Sequence, residues 1–369
     1  MRAELAVLAT IVTALPAFGA EAPFVPPGVT PPDYIATVIE KDAFGGKSRT
    51  LTITHHGDWS RASLDAEPNG RIEYFATNGI LQITAEANDI GFSHASSRDA
   101  FRDYEPRNTG EKQTYLGETC TVWDVERTKP EEIKRWHAMT RLSCITDDGI
   151  ELWQKRSYES SIYSLEATRI ERRPVAAQDT APPPRLALDW WDRNAPAPAP
   201  SDIPDHEVVM KLPERHPLAA MSFQTHHRSG QWERIDESLG ARRHIQIAHK
   251  PSGFFFTFWT DADGRLTSLN MMRPGKPVDP PAAHLQPKAL DQYETVLGEN
   301  CRWFDMAPGL QDGSMTACLA QDGVALAEEN SCRPCHPTVW TAVSVSRRTV
   351  TSDEMKPPEE LFDPQMWLR

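Results

Sequence analysis

Leu116-Gly117-Glu118-Thr119-Cys120 occurs twice in this chain, the second time as Leu297-Gly298-Glu299-Asn300-Cys301. Each copy runs into a short segment that ends in aspartate, Thr121-Val122-Trp123-Asp124 and Arg302-Trp303-Phe304-Asp305. Each is then followed by a second cysteine and an Asp-Gly turn: Cys144 with Asp148-Gly149, and Cys318 with Asp322-Gly323. String, partner cysteine and turn recur in the same order, which predicts two copies of one folding unit. Further matches flank them. Pro204-Asp205-His206 repeats Pro32-Asp33-Tyr34, Thr225-His226-His227 repeats Thr54-His55-His56, and Arg347-Arg348 repeats Arg172-Arg173.

Within each unit the chain reads as short strands with closely spaced turn signals and little helix. Arg49 to Thr54 alternates apolar and polar residues, Thr77-Asn78-Gly79 is a hairpin signal, and Pro130 to Met139 is the one helix-like patch. The expectation is a mainly β protein: two homologous antiparallel curved-sheet or half-barrel domains with minor helix. Alternating Ala and Pro over 194–204 lacks backbone donors and favours polyproline II, so it is read as a linker. The expected organisation is a signal peptide over 1–22, a first β-rich domain over 23–193, that linker, and a second domain over 205–369.

The signal rests on Arg2, the apolar run from Leu5 to Ala17, and the small-x-small pattern Ala20-Glu21-Ala22, with Ala17-Phe18-Gly19 as the other cleavage pattern. No later segment approaches spanning length. A periplasmic or secreted location follows, with no transmembrane segment once the signal is removed. A net charge of -13 argues against nucleic acid as a partner.

Each unit resembles the half-barrel of the periplasmic lipoprotein carriers and an uncharacterised exported domain family related to them. The residues that carry the resemblance are Gly57-Asp58-Trp59-Ser60-Arg61, the strand Leu116 to Trp123, Asp147-Asp148-Gly149-Ile150-Glu151-Leu152, and the Pro-Pro tail. The resemblance implies a concave apolar face that holds lipid or another hydrophobic ligand, or that meets an envelope protein partner. It supplies no catalytic residues. The expected function is therefore a non-enzymatic envelope binding protein without cofactor or metal.

Six cysteines in an exported chain predict disulfides. Cys120 with Cys144 and Cys301 with Cys318 occupy the same place in each unit. Cys332 and Cys335 form a third disulfide, with each other or in a rearranged set. The alternative reading of Cys332-Arg333-Pro334-Cys335-His336 is covalent haem c, with His336 as proximal ligand, or a redox dithiol. A zinc site with His284 or His336 has too few ligands. Adjacent histidines in a strand point to opposite faces and chelate poorly, so His55-His56 and His226-His227 are read as structural. Phe254, Phe256, Phe258 and Trp259 belong to one apolar strand, read as core or as the lining of a ligand cavity.

Overall fold

The computed structural model describes residues 22–41, 48–64, 71–76, 81–86, 89–94, 106–127, 139–158, 161–197, 199–214, 216, 219–264, 266–272, 286–308, 313–332 and 338–362. The leader, the 130–139 patch (apart from the backbone of Met139), the Thr77-Asn78-Gly79 signal and residues 333–337 lie outside them. The described residues divide into two compact units, 22–186 and 187–362.

The N-terminal unit is an antiparallel sheet of β1 (Tyr34–Lys41), β2 (Arg49–His56), β3 (Trp59–Leu64), β4 (Ile72–Ala76), β5 (Leu81–Ala85), β6 (Asp89–His94), β7 (Arg107–Tyr115), β8 (Glu118–Arg127), β9 (Met139–Thr146), β10 (Glu151–Tyr158) and β11 (Ser161–Arg172). Strands β7 to β11 lie side by side in sequence order. β11 then pairs with β1, and β1 to β6 continue the sheet. Strand β1 shows why these segments are strands. Tyr34, Ala36, Val38 and Glu40 are buried while the residues between them are less so, the period-two pattern of a pleated ribbon. Their inward face joins Leu51, Ile53, Phe75, Leu152 and Leu165 in one core.

The C-terminal unit has the same order. Its strands are β12 (His206–Lys211), β13 (Ser222–Ser229), β14 (Trp232–Leu239), β15 (Arg242–His249), β16 (Phe254–Thr260), β17 (Leu266–Met272), β18 (Lys288–Val296), β19 (Glu299–Asp305), β20 (Gly313–Leu319), β21 (Ala325–Cys332) and β22 (Thr338–Ser346). Strands β18 to β22 run in sequence order, β22 pairs with β12, and β12 to β17 follow. Cys120–Cys144 ties β8 to β9, and Cys301–Cys318 ties β19 to β20, both as disulfides. Among the described residues no helix is long and apolar enough to cross a membrane.

Helix α1 (Leu186–Asn194) corrects one reading of the sequence. Trp190 and Trp191 look like the closing residues of the first unit. They pack instead on the second, where Trp191 lies 5.1 Å from Phe254, 5.8 Å from Phe256 and 6.0 Å from Trp232 between ring centroids. The reason is supply. Phe254, Phe256, Ile245, Ile247 and Met271 put an almost unbroken apolar face on β15 to β17, and an amphipathic helix with two tryptophans covers it.

The repeated string makes the same turn twice. Leu116-Gly117 and Leu297-Gly298 are two-residue hairpin loops with φ of 52° and 79°, and of 51° and 80°. Positive φ at both positions is the twist-matched primed turn, whose first position favours Asn or Gly over a branched side chain. Both leucines are about half exposed, at 48% and 53%, so little packing offsets their backbone strain. Leu116→Asn and Leu297→Asn are each expected to raise stability by about 0.5–1 kcal/mol. A urea midpoint that falls on either substitution would show that the leucine side chain contributes more than its backbone costs.

Candidate functional site

The glutamate of each repeated string and the aspartate of each following turn meet at one arginine. Arg172 holds Glu118 through two bonds of 2.9 and 2.6 Å and Asp148 through its Nε at 2.7 Å. Arg347 holds Glu299 through two bonds of 2.9 and 2.6 Å and Asp322 through its Nε at 2.5 Å. The clamp joins the start of β8 or β19, the turn before β10 or β21, and the end of β11 or β22. The Glu118 carboxylate first, then Asp148, raises the Arg172 guanidinium above its ordinary range. The clamp is structural: every charge is paired, and the pairs lie at the surface, where such bonds contribute little. The repeated Arg-Arg was visible in the sequence, but its partners are far away along the chain.

The two Thr-His-His strings are not equivalent in the sheets. Tyr34 pairs with His55, whereas the matching His206 pairs with Arg228. Register therefore puts Arg228 where the first unit has His55, and His226 where it has Ile53. The two residues inserted before Gly230 shift the pairing by two positions, which keeps every side chain on its face.

His227, Glu207 and Glu354 bring three potential metal-ligand atoms within 4.8 Å of one another. Arg348 already bonds Glu207 at 2.7 Å and Glu354 at 2.6 Å. Arg348, then Thr351, pulls the Glu354 carboxyl down to about 2. A cation would have to displace that guanidinium, so the cluster is an ion-pair hub that anchors the capped helix α2 (Ser352–Met355).

The C-terminal sheet is strongly curled. His226 on β13 and Glu328 on β21 are separated by β12 and β22, and a flat sheet would hold their strands about 14 Å apart. Their side chains approach to 3.8 Å. This places His226, and every residue on its face, on the concave side. A cavity of about 130 Å³ lies there, walled by Met306, Met315, Ala317, Leu319 and Ala325. Nine polar residues also line it, His226, Arg228, Arg234, Glu233, Glu328 and Asn330 among them.

Strand register identifies the matching wall in the N-terminal unit. Arg141 stands for Met315, Ser143 for Ala317, Glu151 for Ala325 and Gln154 for Glu328. There the space is filled. Buried Arg141 donates to Gln154 at 2.9 Å and to the Ala22 carbonyl at 2.8 Å. The Phe24 backbone bonds the Glu151 carboxylate, and the Phe24 ring packs on Trp123 at 5.7 Å. The chain's own lead-in covers the first wall. At the matching positions of the second unit, methionine and alanine stand where the first has two charged groups and a hydroxyl.

No family model matches this chain, and no curated protein matches it. Solved structures similar to it are distant. PNGF-II, in a C2 crystal form, is 10% identical over 67% of this chain and 64% of its own, with a TM-score of 0.29. The chain thus spans less than two thirds of that protein's length. An uncharacterized conserved protein from Thermus thermophilus is 9% identical over 42% of this chain and 88% of its own, at a TM-score of 0.26. An outer membrane lipoprotein-sorting protein domain from Vibrio parahaemolyticus is 10% identical over 40% of this chain and 88% of its own, at 0.18. It is of the type that the sequence resembles. At these scores none of the three says what this chain does.

The residues singled out in the sequence take other places. Phe254, Phe256 and Phe258 are buried, with Phe254 and Phe256 beneath α1, and none of them lines the cavity. Trp259 is 42% exposed on the concave face, and its ring stacks on His244 at 3.6 Å. Cys332 ends β21, and Cys335 and His336 lie outside the described residues. The methionine-walled cavity had no sequence signal of its own, because its walls come from strands far apart along the chain.

Proposed function

We propose that this is an exported, non-enzymatic binding protein built from a duplicated curved-sheet unit, whose C-terminal copy holds the apolar part of a small amphipathic ligand. The observation that carries this reading is the contrast at matched positions: a wall filled by Arg141, Glu151 and the lead-in in one unit, and an open cavity among Met306, Met315 and Ala325 in the other. A hollow whose exposed lining is mostly apolar, with polar side chains among it, suits such a ligand, and methionine adapts its shape to it. Size limits the ligand. About 130 Å³ is close to a roughly 150 Å³ cavity known to take benzene. It admits one aromatic ring or a short alkyl chain, not the several acyl chains of a lipid anchor. Export is supported by the apolar leader and by two buried disulfides.

Titration with 1-hexanol, followed by ligand-observed nuclear magnetic resonance, tests the reading. Binding is expected with Kd on the order of 1 mM, about -4 kcal/mol. Ala325→Phe fills the hollow and is expected to weaken binding at least about tenfold while the protein stays folded. Equal binding by both proteins, or none by the parent, would sink the proposal.

A further inference from the structure

The concave face continues from the cavity across β14 to β17, and here too the two units differ at matched positions. In the N-terminal unit the strip is closed by charge. Arg71 pairs with Glu73 at 2.6 Å and reaches Glu86 at 3.7 Å, and Arg49 pairs with buried Glu40 at 2.7 Å. Leu51 and Leu64 complete it, leaving a hollow of about 10 Å³. Register places Gln224 at the position of Leu51, Glu237 at that of Leu64, His244 at that of Arg71, Gln246 at that of Glu73 and Trp259 at that of Glu86. One set of ion pairs has given way to hydrogen-bonding side chains around an exposed indole.

These groups are held ready. Glu237 Oε2 lies 3.3 Å from His244 Nδ1, and Thr257 Oγ1 lies 3.1 Å from its Nε2, so both imidazole nitrogens are engaged and the ring is fixed. The fixed ring in turn backs one face of Trp259, with the two planes 12° apart. Cross-strand pairing aligns Ser268 with Trp259, and Asn270 with Thr257, on the same face. The result is a rigid aromatic platform ringed by amide, hydroxyl and carboxylate groups. It adjoins the apolar cavity, because Gln246 pairs directly with cavity residue Ile235.

We propose that this strip is a sugar subsite, and that the ligand of the concave face is a small glycoside: an apolar aglycone in the cavity and a pyranose over Trp259. The chemistry fits on both sides of the ring. The electron-rich face of an indole attracts the partly positive C–H face of a pyranose. Hydroxyl groups both donate and accept, and so match the mixed amides, hydroxyls and carboxylate around it. A purely apolar headgroup would leave those groups without partners, and an anionic one would meet the Glu237 carboxylate. The ion-paired strip of the N-terminal unit offers no platform, so that unit is expected to bind no sugar.

The inference rests on the cavity reading above, and one experiment separates the two. The parent protein, Trp259→Ala and Ala325→Phe are each titrated with D-glucose, D-galactose and N-acetyl-D-glucosamine, with 1-hexanol, and with hexyl β-D-glucoside, all by saturation-transfer nuclear magnetic resonance. The glucoside is expected to bind at least about tenfold more tightly than hexanol. Trp259→Ala is expected to lose saturation transfer to free sugar and to bind the glucoside no better than hexanol. Ala325→Phe is expected to lose hexanol and keep sugar. Hexanol binding with no sugar binding, or a glucoside affinity that Trp259→Ala leaves unchanged, overturns the sugar subsite and leaves the cavity standing. Sugar binding without hexanol binding overturns the cavity instead. Melting curves of both variants show whether each is folded.

Discussion

Trp191→Ala is expected to destabilise the C-terminal unit by about 3–5 kcal/mol, the usual cost of emptying a large buried aromatic site. Trp191 is buried and meets the rings of Trp232, Phe254 and Phe256. Its loss exposes the apolar face of β14 to β16 and removes the edge-to-face contacts of two phenylalanines. For a unit of this size the melting midpoint should fall by about 10 °C or more. Hydrogen exchange followed by mass spectrometry locates the effect. Peptides covering 232–258 should lose protection, and peptides covering 34–56 should keep it. Loss confined to the first unit would show that α1 stabilises the sheet it follows in sequence and not the one it precedes.

Removing a disulfide should cost nearly as much. Cys301 and Cys318 are 17 positions apart and Cys120 and Cys144 are 24 apart. Chain-entropy estimates for loops of these lengths are about 3 kcal/mol each, and they differ little because the dependence is logarithmic. The four sulfurs are buried, so the double substitutions Cys301→Ala/Cys318→Ala and Cys120→Ala/Cys144→Ala also leave small voids. Urea unfolding of each double variant checks this. A loss below about 1 kcal/mol would mean that the unfolded chain is held compact by other means.

The architecture was largely legible in the sequence, and for a physical reason. Strands announce themselves by alternation and hairpins by glycine, and both are local. Arg49 to Thr54 needed no knowledge of the rest of the chain. The disulfide partners could be read because string, second cysteine and Asp-Gly turn recur in the same order. Three things could not be read. The sheet order places β11 beside β1, and only that pairing brings Arg172 to a turn and a strand start elsewhere in the fold. The two-residue offset of the histidines depends on β12 and β13 pairing, which a linear comparison of strings cannot see. The cavity and the Trp259 strip arise from curvature, which brings His226 to Glu328 across two intervening strands. Of the apolar run over 254–259, Phe254 and Phe256 pack under α1, and Trp259 faces the opposite side of the sheet.

The position of α1 also sets a timetable. The helix is synthesised before any strand of the sheet that it covers, and Phe254 follows Trp191 by some 60 residues. At about 5–20 residues per second, both tryptophans wait roughly 3–12 s for their partners to emerge. For that interval the nascent protein carries a bare aromatic pair next to a Pro-rich spacer. Delay or arrest between residues 194 and 254 would lengthen the exposure. Sticky translation intermediates of this protein should accumulate there, and not at the stages where either sheet is already complete.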